Sequence, residues 1–512
     1  MIMTIPGSII SDILNITYIL IFIALLDIVT TIHILLNKHE EAASAVLWLM
    51  TVFFIPGFGI LLYILFGINR VYTKGLKIKV ANQVIMNQKK QDYDDTSEKS
   101  GTNAIATMRQ YLKQQQKFII EKSNISHFST FNKILDSFMP QSVILKGNKT
   151  ELLCDGTQAY PQMLDAISNA ESSIHLESYI IMNDQIGKEI FAKLRQKASE
   201  GVEVKVLYDR FGSFHAFITM FFSTFVKNEK NFQIKSFSLK PPWAIQMRNH
   251  RKLLIIDGKT AFLGGVNISS DNDRRFTIKK RYTHDLHCKV IGPITAELQF
   301  SFLRDWYCIS NESPDQILKK KYFPTLQEEG EHFIRLITSG PGQEMEASEK
   351  MFMAAAAAAQ KHLWIISPYF VPGTDFCKSL SVAAAKGVDV RIILPAKSDH
   401  ILTTFASRSK FKTLIANGVR IFERHGSFLH AKVLLIDKKT ARIGSSNCDI
   451  RSFKLNFELD IIVENGHFPE DLAKQFEIEL KHSSEVKLSH IIQKSIITQL
   501  IENLCSLFTP IL

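Results

Sequence analysis

One segment of this chain occurs twice, and the two copies begin 180 residues apart. The first, His250–Asn267, reads HRKLLIIDGKTAFLGGVN, and the second, His430–Asn447, reads HAKVLLIDKKTARIGSSN. In register they agree at the His, Lys, Leu, Ile, Asp, Lys, Thr, Ala, Gly and Asn positions. A repeat at this spacing predicts a fold built from two similar halves.

The order of the surrounding elements repeats as well. Apolar periodicity and Gly stops predict helix, strand, helix, strand in AYPQMLDAISNA, SIHLESYII, IGKEIFAKLRQKASEG and VEVKVLYD. The second half has the same order in SEKMFMAAAAAAQK, HLWIISPYFV, DFCKSLSVAAAKG and VDVRIILP. We therefore expect an α/β fold with two tandem domains, at residues 141–325 and 326–512.

The N-terminal region predicts a membrane anchor in residues 1–68. Residues 13–36 are apolar except for Asp27 and a few weakly polar groups, and residues 45–67 carry no charge. Each segment has the roughly 20 residues that a helix needs to cross a bilayer. We expect Asp27 to face the partner helix, because a carboxylate is costly in lipid. Pro56 and Gly57 are expected to kink or interrupt the second span.

Charge around the spans predicts their orientation. Arg70, Lys74, Lys77 and Lys79 follow the second span, whereas the loop NKHEEAAS holds one Lys and two Glu. The positive-inside tendency then places both domains and the N-terminus on the cytoplasmic side of the membrane. A charged stretch within residues 69–140 predicts a linker, and TMRQYLKQQQKFIIEK inside it could form a helix. The net charge of +11 suits an anionic membrane face or a nucleic acid.

The repeated segment places imidazole and ammonium groups together. Side chains on a strand alternate with a period of two, so His250 and Lys252 share a face, as do His430 and Lys432. An ammonium can hold phosphate oxygens, and an imidazole can attack phosphorus or donate a proton. Amides at the end of each copy, Asn267 and Asn447, can donate to the same anion. Two copies with matching Asp, Gly and Asn offsets indicate a paired catalytic site rather than chance neighbours on a strand.

The pattern HxKxxxxDxxxxxxG, present twice, resembles the HKD motif of the phospholipase D superfamily. More narrowly, the chain is similar to bacterial membrane-anchored cardiolipin synthases of that superfamily. The resemblance rests on the two N-terminal spans and on these stretches: GNKTELLCDG, IHLESYIIMNDQIG, YDRFGS, SPYFVP and NCDIRSFKLNFE. It covers nearly all of the chain outside residues 80–140.

The resemblance implies two halves about a pseudo-twofold axis, with both motifs in one cleft. His250 would be the nucleophile that forms a phosphohistidine. His430 would protonate the departing oxygen and later deprotonate the incoming hydroxyl. Lys252, Lys432 and the two Asn side chains would stabilise charge on the phosphoryl oxygens.

The resemblance also implies an acidic residue that holds each imidazole. We expect Asp285 to serve the first motif and Glu458 the second. The family's usual order has Arg before this Asp, where the present chain has His284. The motif residues Asp257 and Asp437 are counted with the catalytic set, in an orienting or structural role.

The reaction implied is transfer of a phosphatidyl group from one phosphatidylglycerol to another, giving cardiolipin and glycerol. No metal, nucleotide or other cofactor is expected, and the partners are anionic phospholipids in a membrane rather than nucleic acid. Three alternatives stay open: a membrane phospholipase D that releases phosphatidic acid, a nuclease of the same superfamily, and a non-enzymatic scaffold. The apolar C-terminus, LIENLCSLFTPIL, could lie against the bilayer or cap the second domain. Oligomeric state is left open.

Overall fold

The computed structural model describes residues 7–37, 42–64, 103–120, 130–226, 230–237, 247–277, 282–310, 312–340, 346–507 and 509. These residues fall into two compact units. The N-terminal unit contains the described residues up to 64, and the larger unit contains those from 103 onward.

The described residues of the N-terminal unit form three helices: α1 (Gly7–Asn37), α2 (Ala42–Phe54) and α3 (Phe58–Leu62). Within α1, Thr17–Asn37 is long and apolar enough to cross a membrane. The second predicted span is divided into α2 and α3, since Pro56 lacks an N–H and Gly57 adopts a φ of 74°. The predicted interruption is confirmed. Residues 65–67 of that span, and the basic residues that follow it, lie outside the described residues.

One fifteen-stranded sheet organises the larger unit. The strands of its first half and the short β7 are β1 (Ile144–Cys154), β2 (Ser173–Ser178), β3 (Glu203–Asp209), β4 (Phe232–Phe237), β5 (Lys252–Ile256), β6 (Thr260–Gly264), β7 (Thr283–His284) and β8 (Leu286–Ile291). Those of the second half are β9 (His332–Ser339), β10 (His362–Ile366), β12 (Asp389–Pro395), β13 (Arg420–Arg424), β15 (Val433–Ile436), β16 (Thr440–Gly444), β18 (Glu458–Glu464) and β19 (Ser483–Glu485). The short strands β11 (Phe370–Val371), β14 (Phe428–Leu429) and β17 (Cys448–Asp449) lie outside this sheet: β11 pairs with β17, and β14 pairs with β7.

The sheet has the same strand order when it is followed inward from either edge. One side runs β4-β3-β2-β5-β6-β8-β1 and the other β13-β12-β10-β15-β16-β18-β9, with β19 beyond β13. The first three strands in each of these orders are parallel, and the hairpins β5–β6 and β15–β16 that carry the motifs are antiparallel. β1 and β9 pair antiparallel in the middle, which joins the halves about a pseudo-twofold axis. The predicted pair of tandem α/β domains is confirmed.

Helices cover the sheet. They are α4 (Asn103–Gln116), α5 (Thr130–Phe138), α6 (Asp155–Ser168), α7 (Gln185–Ser199), α8 (Phe214–Ile218), α9 (Ser223–Val226), α10 (Ile294–Ile309), α11 (Pro314–Ile317), α12 (Ala347–Ala358), α13 (Thr374–Ala385), α14 (Ile401–Ala416), α15 (Ile450–Lys454), α16 (Phe468–Lys481), α17 (Leu488–Ile492) and α18 (Ile496–Leu507). Single 3-10 turns occur at Ser270–Asn272 and Lys320–Tyr322.

Each half has its own apolar core. Ile174, Val204 and Leu254 belong to the first core, whereas Ile365 and Ile392 belong to the second. Most side chains of these strands are buried because helices cover the sheet, and each buried Ile or Leu contributes about 1.5–3 kcal/mol. Residues 69–140, for which the sequence predicts a linker, contain α4 and α5. Phe131, Leu135 and Met139, on and just after α5, lie in the second core, so this part of the range is integral to the larger unit.

Candidate active site

The repeated motif residues are buried where β5 and β15 begin. Lys252 is the first residue of β5, and Lys432 lies immediately before β15. His250 is 7% exposed and His430 is 9% exposed. Lys252 Nζ donates to the backbone oxygen of His250 at 2.6 Å, and Lys432 Nζ lies 2.8 Å from His430 Nδ1. Each imidazole therefore has an ammonium group beside it, as the alternation of a strand predicts.

Backbone bonds fix each motif against another part of the larger unit. The N–H of His250 donates to the carbonyl of Phe457 at 2.9 Å, and the N–H of His430 donates to the carbonyl of His284 at 2.7 Å. The pKa of His250 is held well below its usual range by burial, followed by the charges of Lys252, Lys432 and His430. The same two halves also meet through side chains, because His250 lies beside Glu458 and His430 lies beside Asp285, so that they form a single site.

The acids are exchanged between the halves. His250 Nδ1 lies 3.0 Å from Glu458 Oε2, and His430 Nδ1 lies 2.6 Å from Asp285 Oδ2. The sequence-based pairing of Asp285 with the first motif and Glu458 with the second is therefore corrected. Both acids lie at the starts of inner strands, β8 and β18, next to the central β1–β9 pair. From that place a side chain can reach the imidazole of the other half.

The environments of these two carboxyl groups differ. Burial raises the pKa of Glu458 despite the opposing charge of Lys252, and Ser445 and Asn456 donate hydrogen bonds to it. Burial also acts to raise the pKa of Asp285, but Lys432 and His430 outweigh it, so that this pKa is lowered. Asp285 is consequently the more firmly ionised of the two.

Gly265 makes room for Asp285. A Cβ atom at this glycine would lie 1.9 Å from Asp285 Oδ1. At the matching position of the second half stands Ser445, whose hydroxyl donates to Glu458 instead. The absence of a side chain at Gly265 thus permits the close approach of a carboxylate.

Two buried lysines give the site a positive field. Burial lowers the pKa of Lys432 to about 8. Burial and then the charge of Lys432 lower the pKa of Lys252. An anion between them would offset this repulsion, because opposite charge favours the ammonium form. The site is therefore suited to a phosphate group.

The two asparagines follow the motif hairpins. Asn267 and Asn447 are 5% and 4% exposed, three residues beyond β6 and β16. Asn267 Oδ1 accepts from the N–H of Ile180 at 3.3 Å, which orients its amide. Phosphate binding by these amides stays a prediction.

The motif aspartates lie far from the imidazoles. Asp257 accepts hydrogen bonds of 2.7–2.9 Å from the N–H groups of residues 171–173, and Asp437 accepts from those of residues 360–362. At about 3.3 Å per residue, the five residues of β5 separate Asp257 from Lys252 by roughly 16 Å. Asp257 and Asp437 therefore hold the loops that lead into β2 and β10, which fits the structural role expected of them, and a part in catalysis stays a prediction.

Two tyrosines complete the surroundings of the histidines. The Tyr179 ring lies 4.8 Å from that of His250, edge to face, and Lys252 Nζ lies 5.3 Å from it. The Tyr369 ring lies 6.3 Å from that of His430, and its hydroxyl donates to Asp399 at 2.8 Å. The stretches ESY (Glu177–Tyr179) and SPY (Ser367–Tyr369) stand at the ends of matching strands in the two halves, and this repeat in the sequence indicates the pair of tyrosines. Glu177 is instead buried and accepts from Asn249.

His284 joins distant parts of the chain. Its Nδ1 lies 2.7 Å from Asp155 Oδ1 and its Nε2 lies 2.8 Å from Glu479 Oε1. Burial lowers its pKa, but hydrogen bonds to these two carboxylates outweigh burial and raise the pKa to about 9. The side chain of His284 is therefore a buried imidazolium at neutral pH, paired with two carboxylates.

One other group of side chains has metal-ligand spacing. Ligand atoms of Glu331, His332 and His467 lie within 4.8 Å of one another. However, His332 Nδ1 accepts the N–H of Thr150 at 3.1 Å, so in the neutral ring Nε2 carries the proton. The ring then has no free lone pair for an ion.

Similarity to known proteins agrees with this geometry. The family model "Cardiolipin synthase, PLD-like domain" matches residues 163–306 and 352–480, and "Phospholipase_D-nuclease N-terminal" matches residues 19–67. Cardiolipin synthase 2 of Bacillus anthracis is 31% identical over 93% of this chain and 88% of its own length. A cardiolipin synthase of Alkalihalophilus pseudofirmus is 32% identical over 93% of this chain and 90% of its length. The crystal structure of phosphatidylserine synthase from Haemophilus influenzae shares the fold, with a TM-score of 0.59 and 14% identity, over 75% of this chain and all of that chain.

Proposed function

This chain belongs to the family of cardiolipin synthases with phospholipase D-like domains, and we propose that it makes cardiolipin from two molecules of phosphatidylglycerol. The observation that carries the proposal is the single buried site in which each half supplies a His and a Lys. A phosphodiester is the group that two imidazoles and two ammonium ions can bind and transfer.

His250 is the attacking group in this proposal. With Nδ1–H donated to Glu458, the lone pair of Nε2 is free, and the low pKa keeps the ring neutral. Nε2 forms a bond to phosphorus as the phosphorus–oxygen bond to glycerol breaks. The product is a phosphatidyl-histidine, which conserves the phosphoester energy while glycerol leaves.

His430 handles the proton. Burial and Lys432 lower the pKa of His430, but the ionised Asp285 opposes them and the negative charge of a bound phosphodiester offsets the nearby lysines, so that an imidazolium forms when substrate is bound. His430 gives its proton to the departing glycerol oxygen. It then accepts the proton of the terminal hydroxyl of the second phosphatidylglycerol as that oxygen attacks phosphorus and releases His250. The cycle balances with no metal or nucleotide.

Lipid substrates fit a chain with an apolar N-terminal helix. We propose that α1 and the α2–α3 segment both enter the membrane and that the larger unit lies on the cytoplasmic side. The support is the length of Thr17–Asn37 and the positive charge that follows the second segment in the sequence.

The test is a product analysis of the full-length chain reconstituted with phosphatidylglycerol as the sole lipid. We expect cardiolipin and glycerol in equal amounts by mass spectrometry. Phosphatidic acid without cardiolipin would overturn the proposal in favour of a hydrolase. A His250→Ala or His430→Ala variant that kept wild-type turnover would overturn the site.

A further inference from the structure

The C-terminal helix α18 turns its apolar face outward. Ile496, Ile497, Leu500 and Leu504 are 57–76% exposed, whereas Glu502 is 5% exposed. Glu502 lies toward the protein, where it accepts from Lys494 at 2.6 Å. This is the reverse of the usual arrangement of a surface helix, in which the apolar stripe faces the core.

The outward face of α18 has a fixed support. α18 packs along α14, and its Cys505 is buried with Val371 and Ala406. The start of α14 adds two further exposed side chains, Ile401 (69%) and Leu402 (54%). The packed helices α14 and α18 thus present an apolar surface on the second half.

The first half has an exposed apolar surface at the equivalent place. It follows β3, as α14 follows β12, and β3 and β12 occupy matching positions in the sheet. Phe211, Phe214, Ile218 and Met220 are 55–68% exposed there. We call these four residues, together with Ile401, Leu402 and the exposed side chains of α18, the apolar rim.

Both parts of the apolar rim start close to the histidines. In the first half, Ser213, the neighbour of Phe214, donates to the carbonyl of Tyr179 at 3.0 Å, and Tyr179 contacts the His250 ring. In the second half, Tyr369 faces His430 and donates to Asp399, which is two residues before Ile401. In each half, a tyrosine beside the imidazole is thus hydrogen-bonded to a residue one or two positions away from the rim in the chain.

Cations lie within the first-half part of the rim. The Arg210 guanidinium is 4.4 Å from the Phe217 ring, and that of Arg248 is 4.3 Å from the Phe211 ring. Apolar side chains interleaved with Arg are typical of surfaces that enter the interface of an anionic membrane. Soluble proteins rarely expose several such apolar side chains together without a partner.

We propose that the apolar rim docks into the surface of an anionic phospholipid bilayer, so that the cleft opens directly onto lipid headgroups. The proposal rests on the proposed function for the idea that the substrate is a lipid, and adds a second membrane contact made by the larger unit itself. The two sides of the rim enter the leaflet while the phosphodiester reaches the histidines between them.

Turnover with two forms of substrate tests this docking. The full-length chain is compared with Leu500→Glu/Leu504→Glu and Phe214→Glu/Ile218→Glu variants on vesicles of phosphatidylglycerol and phosphatidylcholine, and on a short-chain, water-soluble phosphatidylglycerol. Val382→Glu is the matched control, since Val382 is 65% exposed on α13 outside the rim. We expect rim variants to lose at least tenfold on vesicles and less than twofold on the soluble substrate, with the control unchanged on both. Unaltered vesicle activity, or an equal loss on the soluble substrate, would overturn the docking role.

Photocrosslinking gives a reading that needs no turnover. Benzoylphenylalanine is placed at position 504, 214 or 382 of the full-length chain in vesicles that contain labelled phosphatidylglycerol. We expect label transfer from positions 504 and 214 and none from 382. Crosslinks to polypeptide alone would overturn the proposal and identify a protein occupant. Lipid crosslinks in a chain that makes no cardiolipin from either substrate would support docking and refute the proposed function.

Discussion

At the scale of residues, the exchanged acids give the two imidazoles different chemistry. Glu458 has a raised pKa and holds His250, whereas Asp285 has a lowered pKa and holds His430. Similar motifs can thus supply an attacking group and a proton carrier, because their partners differ in charge and in hydrogen bonding.

A substrate with an activated leaving group separates the two roles. Phosphatidyl p-nitrophenol needs no proton for its leaving group to depart. We expect Asp285→Asn to keep a burst of nitrophenol but turn over 10²–10⁴-fold more slowly, since the proposed role of His430 with this substrate falls in the second step. Glu458→Gln should lose the burst, because it affects His250, the proposed nucleophile. Stopped-flow absorbance measures both. The reverse result would show that each acid serves the motif of its own half.

The lysine pair predicts a pH-dependent affinity for phosphate. The lowered pKa of Lys432, about 8, means that phosphate binding takes up a proton above that pH. We expect inorganic phosphate to raise the melting temperature of the full-length chain more at pH 7 than at pH 9.5. Lys432→Met should remove most of that increase. Lys378→Met, at a lysine whose side chain is 72% exposed, should not. An equal increase in all three proteins would contradict the account.

At the scale of elements, the end of β6 shows how closely the site is packed. Gly265→Ala would place a Cβ against Asp285, so we expect activity to fall at least as far as in Asp285→Asn. Gly201→Ala is the control: its φ is 94°, but no atom lies within 4 Å of the added Cβ. It should cost about 1 kcal/mol of stability and leave turnover intact. Full activity in Gly265→Ala would show that this contact is unimportant.

The elements themselves were largely predictable from the sequence. The apolar run after each motif His predicts β5 and β15. Asp257 and Gly258 both adopt positive φ in the turn between β5 and β6. The partner of each acid was not predictable. Chain order puts Asp285 after the first motif, whereas the position of β8 beside the central strand pair decides which ring it meets. The bridge at His284 needs groups 129 and 195 residues away, which no local pattern reveals.

At the scale of the whole molecule, His284 forms ion pairs with Asp155 at the start of α6 and with Glu479 in α16, and so connects the two halves. Its pKa is raised from an unfolded value of about 6.5 to about 9. The stabilisation is therefore complete below pH 6.5 and is lost as the pH rises through about 9. We expect the melting temperature of wild type to fall between pH 7 and 10 by more than that of His284→Arg, whose charge persists. If the melting temperatures of the two proteins fell equally with pH, the stabilising role of the His284 ion pairs would be refuted.

The two halves form one site because β1 pairs with β9 and because the carboxylate beside each motif histidine comes from the other half. The measurement that tests this account most directly is the site of covalent labelling. The full-length chain is mixed with phosphatidylglycerol, quenched within milliseconds in base and digested for mass spectrometry. We expect a phosphatidyl group on His250 in wild type, at higher occupancy in His430→Ala when phosphatidyl p-nitrophenol is the donor, and none in His250→Ala. Label on His430, or turnover with no labelled histidine, would contradict it.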